Sequence, residues 1–487
     1  METADPTSAR VLELGCADGG NLIPMAWYLP KARFLGVDRA AGSLATGRAI
    51  ADRLALSNLE LRQADIADLD PASLGLFDYI LIHGVWSCVP FAIQEQILRL
   101  CGACLAPQGI AYVSYNTLPG WHPRSMVRDF LRYHTRLIRD PAIRLAAARG
   151  LLERLGGAWE GETPLAQYLS HEIEELRHAP PGYLSQEYLE ENNQPILFVD
   201  FVARATQHGL CYLAEAELHT LFPSTLSAGA RALVESLEDP LEQEQHMDFL
   251  RYRVMRKTLL CRAGAPKRQP IDPMRMREFA VSALLSPVQW VDLTRTIPED
   301  FVAPDGVHFG VTHPLTKAAL LYLAKVYPDA VAYPALETAA IERATTAGST
   351  HGCVTQLAEE LFSLYAHRAI RLATAPETVY HAIASRPRTH ALARAQASAH
   401  LGHLATARHT VLDIDPLAAQ LVQLMDGTRT LEELVAELLV HLAHRTARAV
   451  VKGQPAALPQ DGELLAGCKH LLKLFAQHGL LEEPREA

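Results

Sequence analysis

The stretch Val11-Leu-Glu-Leu-Gly-Cys-Ala-Asp-Gly-Gly-Asn21 decides the fold of the first part of the chain. Its apolar start predicts a buried strand at residues 11–14, and the glycine-rich segment at 15–20 predicts a tight loop before a helix at 21–29. Glycines after a strand let the backbone approach a ligand without a Cβ clash. The spacing differs from the G-x-G-x-x-G loop that binds a pyrophosphate. We therefore expect a ligand loop that is not a pyrophosphate cradle.

The segments after this loop alternate between strand and helix patterns. The sequence predicts further strands at residues 32–37, 59–63, 77–82 and 110–115, and a helix at 91–105. Alternation of this kind indicates an α/β Rossmann-like parallel sheet, which binds ligands beyond the carboxyl ends of its strands. Asp38 and Asp65 follow two successive strands, and a carboxylate at the end of the second strand can accept hydrogen bonds from both hydroxyls of a ribose.

Length and composition bound the class of protein. A chain of 487 residues is too long to fold around a single hydrophobic core, so about two to four domains are expected. The formal net charge of -10 argues against nucleic acid as a partner. No apolar run reaches the roughly 18 residues of a membrane-spanning helix, and METADPTSAR lacks the features of a secretory signal. We expect a cytoplasmic protein without membrane insertion.

Two groups of cysteine or histidine residues, away from the strand ends, were considered as metal ligands. Cys101 and Cys104 share one face of a predicted helix, with no second cysteine or histidine pair at zinc-site spacing. They are interpreted as buried thiols. His400, His403 and His409 have no acidic or cysteine partner at a matching spacing. No metal site is predicted.

The opening stretch resembles motif I of class I S-adenosylmethionine-dependent methyltransferases, usually E-x-G-x-G-x-G, with Ala17 in place of the middle glycine. The resemblance implies that the loop lines the methionine part of the cofactor S-adenosylmethionine. It places Asp38 on the ribose, Asp65 with Ile66 beside the adenine, and His83 towards the methyl acceptor. The cofactor residues that it implies are Glu13, Gly15, Cys16, Ala17, Gly19, Asn21, Asp38, Arg39, Asp65, Ile66 and His83.

A narrower resemblance covers most of the chain and thins between about residues 265 and 400. Segments 83–90, 114–122 and 187–195, with later stretches to residue 260, are similar to bacterial protein-lysine methyltransferases related to rickettsial enzymes that modify outer-membrane proteins. Such proteins carry a methyltransferase domain, a methyltransferase regulatory domain and a C-terminal winged helix. Members usually have a helical segment before the first strand, whereas about nine residues precede Arg10 here. We therefore expect either a start codon further upstream or a shortened form.

A lysine acceptor must lose its proton before it can be methylated, because its unperturbed pKa is about 10.4. Apolar surroundings favour the neutral amine, and aromatic rings tolerate a methylated ammonium. Trp86, Tyr115 and Trp121 are therefore candidates for the acceptor pocket, with Asn116 to orient the amine and His83 to relay a proton. Each aromatic residue has an alternative role in core packing, and the pair at 119–120 is also a turn signal. No Asn/Asp-Pro-Pro-aromatic motif, typical of methyltransferases that act on nucleobases, follows the fourth strand.

We expect four regions along the chain: a methyltransferase domain at 1–135, a helical regulatory or substrate region at 136–264, and winged-helix-like regions at 270–395 and 396–487. Residues 124–176 and 183–260 are predicted to be helical, residues 266–270 a linker, residues 301–311 a hairpin, and Thr430 an N-cap before Glu433. The expected function is methyl transfer to lysine in a protein substrate. A small-molecule methyltransferase and a non-catalytic scaffold stay open, as does a homodimer.

Overall fold

A computed structural model of the chain describes residues 3–156, 163–265, 271–349, 354–451 and 461–483. The chain divides into two units, one made of residues 1–48 and 57–268 and the other of residues 49–56 and 269–487. The predicted linker at 266–270 lies outside the described residues.

The first unit is built on a seven-stranded sheet. Its strands are β1 (Arg10–Leu14), β2 (Arg33–Asp38), β3 (Leu59–Gln63), β4 (Phe77–Ile82), β5 (Leu105–Asn116), β6 (Leu210–Glu215) and β7 (Met255–Arg262). They lie in the order β3-β2-β1-β4-β5-β7-β6, with the first five parallel. This confirms the predicted Rossmann-like sheet. Strand β5 begins at Leu105, earlier than the predicted start at residue 110, and residues 106–109 lie in an irregularity of its pairing with β4.

Helices cover the sheet and extend away from it. They are α1 (Leu22–Tyr28), α2 (Ala41–Arg53), α3 (Pro71–Leu74), α4 (Phe91–Cys104), α5 (Leu118–Thr135), α6 (Pro141–Leu155), α7 (Pro164–His178), α8 (Pro181–Tyr183), α9 (Phe198–Gln207), α10 (Ala228–Glu235) and α11 (Pro240–Leu250). Cys101 and Cys104 are buried in the core on α4, as predicted. The turn signal at 119–120 was misleading, because Pro119 occupies the first turn of α5, where a proline needs no hydrogen-bond partner.

The prediction that residues 183–260 are continuously helical was wrong. Strands β6 and β7 lie in this segment, and β7 pairs antiparallel with β5 on one side and with β6 on the other. A short apolar run such as these strands cannot be told from a buried helix by periodicity alone. The regulatory part of the chain therefore completes the sheet that begins with β1.

Polar and steric contacts hold this part of the chain against α4. The carboxylate of Glu95 on α4 pairs with Arg204 at 2.6 Å and with His208 at 2.8 Å. At Gly102 the backbone of α4 comes so close to its neighbour that a Cβ would lie 2.1 Å from the carbonyl oxygen of His208. The helix and the loop that leads into β6 can meet at this distance only because residue 102 has no side chain.

The described residues of the second unit form three small sheets. Its strands are β8 (Ala280–Ser282), β9 (Ser286–Pro287), β10 (Glu299–Val302), β11 (His308–Val311), β12 (Val331–Ala332), β13 (Arg371–Ala373), β14 (His403–Ala405) and β15 (Val411–Asp413). Its helices are α12 (Pro314–Val326), α13 (Tyr333–Thr346), α14 (Val354–Ala366), α15 (Ala391–Ser398), α16 (Pro416–Leu424), α17 (Leu431–Val451) and α18 (Asp461–Gln477). Two large apolar cores and a small cluster of three alanines lie in the described part of this unit.

Several local predictions for the second unit are confirmed. Strands β10 and β11 form the expected antiparallel hairpin. Thr430 and Glu433 form a reciprocal capping box at the start of α17, with Thr430 N–H donating to the Glu433 carboxylate at 2.7 Å and Glu433 N–H donating to Thr430 Oγ1 at 3.3 Å. Within the described part of the chain, no helix combines the length and apolar character needed to cross a bilayer.

The close approach at Gly102 generates a stability prediction. Gly102→Ala should lower the free energy of unfolding by about 1–3 kcal/mol, because the new methyl group overlaps the His208 carbonyl oxygen. The matched control is Gly150→Ala on α6, where a Cβ meets no atom within 4 Å and the gain in helix propensity should stabilise by about 0.5–1 kcal/mol. Urea denaturation of the two variants measures the difference. Equal changes in the free energy of unfolding of the two variants would contradict the close packing of the His208 backbone on α4.

Candidate functional site

The loop after β1 has the backbone of a glycine-rich ligand loop. Gly15, Ala17 and Gly19 have φ angles of 76°, 49° and 74°, all in the left-handed region. A Cβ on Gly15 would lie 2.4 Å from Cγ2 of Val85, so this loop touches the segment that follows β4. Ala17 keeps a conformation that costs a residue with a side chain about 1–2 kcal/mol. The loop backbone at Ala17 therefore has the left-handed conformation expected for the middle glycine of the motif.

Asp38 joins the end of β2 to this loop. Its Oδ2 accepts the backbone N–H of Ala17 at 2.8 Å, and its Oδ1 accepts the N–H of Ala40 at 2.8 Å. An ionised carboxylate can accept about four hydrogen bonds, so two can still be accepted from ligand hydroxyls. Asp38 thus shapes the loop and retains the capacity to hold a ribose.

Glu13 is a buried carboxyl group inside β1. Its Oε1 accepts a hydrogen bond from Asn21 Nδ2 at 3.0 Å, whereas its Oε2 is buried and has no hydrogen-bond partner among the described residues. Burial raises the pKa of Glu13 to about 7. A buried polar atom without a partner costs stability. The unpaired oxygen beside the glycine loop fits a ligand that brings a cationic amine.

Helix α2 supports the loop from the outside. A Cβ on Gly47 would lie 2.0 Å from the carbonyl oxygen of Asp18, so α2 packs directly on the loop backbone. No role was predicted for Gly47 from the sequence. The signal was present, because a glycine in the interior of a helix costs about 1 kcal/mol relative to alanine and indicates a packing or functional reason.

The other residues assigned to the cofactor lie around the same edge. Asp65 is exposed and accepts the N–H of Ala67 at 2.9 Å, which caps a short helical turn, and Ile66 in that turn packs against the core. The side chain of Arg39 is exposed after β2. Cys16 is buried in the loop, and burial raises the pKa of its thiol to about 12. This thiol is therefore neutral.

His83 directly follows β4, and Tyr112 lies inside the neighbouring strand β5, opposite Leu81. Nδ1 of His83 is 3.0 Å from the hydroxyl of Tyr112. Partial desolvation and the charge of Lys257 lower the pKa of His83 below 6.5, so its imidazole is neutral at pH 7. The adjacent Gly84 N–H donates to Ser114 Oγ at 2.8 Å, which ties the two strand ends together.

The three aromatic candidates are packed inside the protein. Tyr115 stacks on Phe201 with ring centroids 3.9 Å apart, and Trp86 meets the edge of Phe201 at 5.2 Å. Trp121 packs against Tyr188 in a separate core with ring centroids 5.6 Å apart. These contacts favour the packing alternative for all three residues, and their role as acceptor walls stays a prediction.

Asn116 belongs to a polar cluster that brings the three family-like segments together. Its Nδ2 donates to Glu187 Oε2 at 2.7 Å and to Asn193 Oδ1 at 3.1 Å, while its backbone N–H donates to Ser87 Oγ at 2.8 Å. Glu187 lies in a π-helical turn, Leu184–Leu189, a conformation frequent at functional sites. Glu187 lies in one of the segments that resemble the family, but no role was predicted for this residue from the sequence.

Three family models match successive parts of the chain. A methyltransferase domain matches residues 7–171, a predicted methyltransferase regulatory domain matches residues 180–262, and a PKMT C-terminal winged helix domain matches residues 385–480. The matches follow the order expected from the sequence motifs.

Among related sequences, the uncharacterised protein RP789 of Rickettsia prowazekii (strain Madrid E) is 36% identical over 275 residues, which is 56% of this chain and 50% of that protein. The chain thus spans about half the length of this relative. The uncharacterised protein RP028 of the same organism is 34% identical over 199 residues, which is 41% of this chain and 79% of that protein.

Two solved structures have a similar fold over nearly the whole chain. PKMT2 from Rickettsia typhi is 24% identical with a TM-score of 0.80, and the match covers 99% of this chain and 95% of that one. The same protein in complex with AdoHcy gives a TM-score of 0.82 over the same coverage. The likeness to these structures shows the fold. The three family models, in their order along the chain, and the relative RP028, of which the match covers 79%, show that the chain belongs to the PKMT family, in which a methyltransferase domain is followed by a regulatory domain and a C-terminal winged helix.

Proposed function

We propose that this protein transfers a methyl group from S-adenosylmethionine to lysine side chains of a protein substrate. The observation that carries the proposal is the presence of all three PKMT family regions in one chain. The geometry of the carboxyl edge of the sheet supports it, because that edge offers a loop, two carboxylates and an orphaned acidic oxygen where a cofactor would bind.

The cofactor would be held by residues on the first three strand ends. The carboxylate of Glu13 would receive the amino group of its methionine part, and Asp38 would accept hydrogen bonds from the ribose hydroxyls. Asp65 and Ile66 would flank the adenine. When bound, S-adenosylmethionine supplies a methyl group activated by a positively charged sulfur.

The acceptor would be bound at the ends of β4 and β5. Asn116 commits its side-chain nitrogen to Glu187 and Asn193, so its side-chain oxygen is the group that can orient an amine. The imidazole of His83 can take up a proton at Nε2 in the tautomer whose Nδ1–H donates to the Tyr112 hydroxyl. Such positioning can supply several kcal/mol of the barrier reduction.

We propose that the regions after the methyltransferase domain recognise the protein substrate. A specific protein contact buries about 800 Å² on each partner, more than a lysine pocket offers. No described group of three or more His, Cys, Asp or Glu residues is arranged to hold a metal ion.

The function is tested by incubation with S-adenosylmethionine labelled in its methyl group and with a bacterial lysate. We expect label on lysine residues of protein, identified by mass spectrometry, and none with Asp38→Ala, which loses the ribose contact. Label in small metabolites instead of protein would support the small-molecule alternative. Cofactor binding without any labelled product would support the non-catalytic scaffold.

The support of the loop by α2 predicts a cofactor-binding defect. Gly47→Ala should weaken S-adenosylhomocysteine binding about tenfold or more, because its methyl group would displace the Asp18 carbonyl and with it the loop. Gly42→Ala is the matched control on the same helix, since a Cβ there meets no atom within 4 Å. Calorimetry measures both affinities. A Gly47→Ala affinity equal to that of the control would place the cofactor away from this loop.

The raised pKa of Glu13 predicts a pH-dependent stability. The folded pKa of about 7 lies above the unfolded value of 4.5, so the folded state binds the proton more tightly. The cofactor-free protein should therefore lose up to about 3 kcal/mol of stability as pH rises from about 4.5 to about 7. Glu13→Gln should lack this component, and saturating S-adenosylhomocysteine should suppress it in the wild type.

Urea denaturation across this pH range measures the effect. Identical pH profiles for the wild type and Glu13→Gln would contradict the assignment of Glu13 as a buried, ligand-ready carboxyl group.

A further inference from the structure

The regulatory part of the chain contributes side chains to the acceptor edge of the sheet. Gln186 Nε2 donates to the carbonyl oxygen of Gly84, directly after β4. The Gln194 N–H donates to the carbonyl oxygen of Ser87 at 2.8 Å. Glu187 lies between these two contacts and reaches the end of β5. Residues 184–195 therefore cover the ends of the two strands where the acceptor would be bound.

Glu187 settles the orientation of the Asn116 amide. Its Oε2 accepts from Asn116 Nδ2 at 2.7 Å and from Asn193 Nδ2 at 3.2 Å, and Asn193 Oδ1 accepts a second hydrogen bond from Asn116 Nδ2 at 3.1 Å. Because Oε2 of Glu187 accepts from two amide nitrogens, it selects the nitrogen end of the Asn116 amide. Both hydrogens of Asn116 Nδ2 are then engaged, and its oxygen faces the other way.

The segment that carries Glu187 is itself fixed by Arg128 on α5. Arg128 is buried, and its guanidinium donates to the carbonyl oxygens of Glu187 at 3.1 Å, Glu190 at 2.6 Å and Glu191 at 3.1 Å. The side chains of Glu190 and Glu191 are exposed. Arg128 thus holds the backbone of Glu187 in place, while the Glu187 carboxylate reaches Asn116 at the end of β5.

We propose that Glu187 is a positioning residue for methyl transfer: it holds the Asn116 amide so that the side-chain oxygen faces the acceptor amine. This role rests on the proposed function. It makes turnover dependent on a residue of the regulatory region, although Glu187 contacts neither the cofactor loop nor the residues proposed to hold the ribose. Its loss should therefore lower kcat and leave cofactor affinity unchanged.

The test compares Glu187→Gln with the matched control Glu190→Gln. Glutamine keeps the size of the side chain, but it can donate as well as accept, so it no longer selects one orientation of Asn116. We expect kcat on a lysine-containing protein substrate to fall about tenfold in Glu187→Gln, because misplaced reacting groups lose rate steeply. The Kd for S-adenosylhomocysteine and the KM should stay within about twofold, and Glu190→Gln should behave as the wild type.

A double variant separates positioning from an independent contribution. Glu187→Gln combined with Asn116→Ala should be no slower than Asn116→Ala alone, because Glu187 acts through Asn116. In protein carrying isotopically labelled asparagine, the side-chain amide resonances of Asn116 should shift in Glu187→Gln and not in Glu190→Gln. This second readout does not depend on turnover.

Different results would overturn the positioning role of Glu187 and the proposed methyltransferase function. Equal kcat values in the two glutamine variants, multiplying losses in the double variant, or unshifted Asn116 resonances would overturn the positioning role alone. Absence of methyl transfer by the wild-type protein would overturn the proposed function, and the positioning role with it.

Discussion

The antiparallel pairing of β7 with β5 is the interaction on which the first unit depends. It runs from Ala111 opposite Leu260 to Asn116 opposite Met255, so the regulatory part of the chain is joined to the sheet up to its carboxyl edge. On β7, the buried Arg256 pairs with Glu215 at 2.7 Å and with Asp248 at 2.8 Å. Removing one partner of such a pair typically costs about 3–5 kcal/mol, because it leaves a buried charge uncompensated. This network fixes β6, β7 and α11 as one support for the acceptor side.

Local sequence patterns were sufficient for the parts of the fold with local causes. The loop after β1 and the capping box at Thr430 depend on neighbours within a few residues, and strands β1 to β4 are marked by their alternation with helices; each was predicted at or near its observed place. Strands β6 and β7 were missed because a short apolar run cannot be told from a buried helix segment by its pattern alone. Whether a short apolar run becomes a strand depends on the presence of a sheet edge that accepts it.

The candidate site shows the same division. The position of a residue after a strand predicts which edge it occupies, but the direction of its side chain depends on what packs against it. Trp86 and Tyr115 lie at the expected strand ends, yet Phe201 from α9 draws both rings into the core. The contact between Glu187 and Asn116 spans 71 positions of sequence, and no local pattern indicates it. Among the site residues for which no role was predicted, Gly47 did carry a local signal, as a glycine inside a helix.

The central claim is that the carboxyl edge of this sheet binds the cofactor, with the acceptor beside Asn116. A crystal structure of the protein with S-adenosylhomocysteine tests it most directly. The account predicts ribose hydroxyls within hydrogen-bond distance of Asp38 and the amino group of the ligand on Oε2 of Glu13, which has no partner among the described residues. A ligand bound elsewhere, or bound here with Glu13 Oε2 still unpaired, would contradict it.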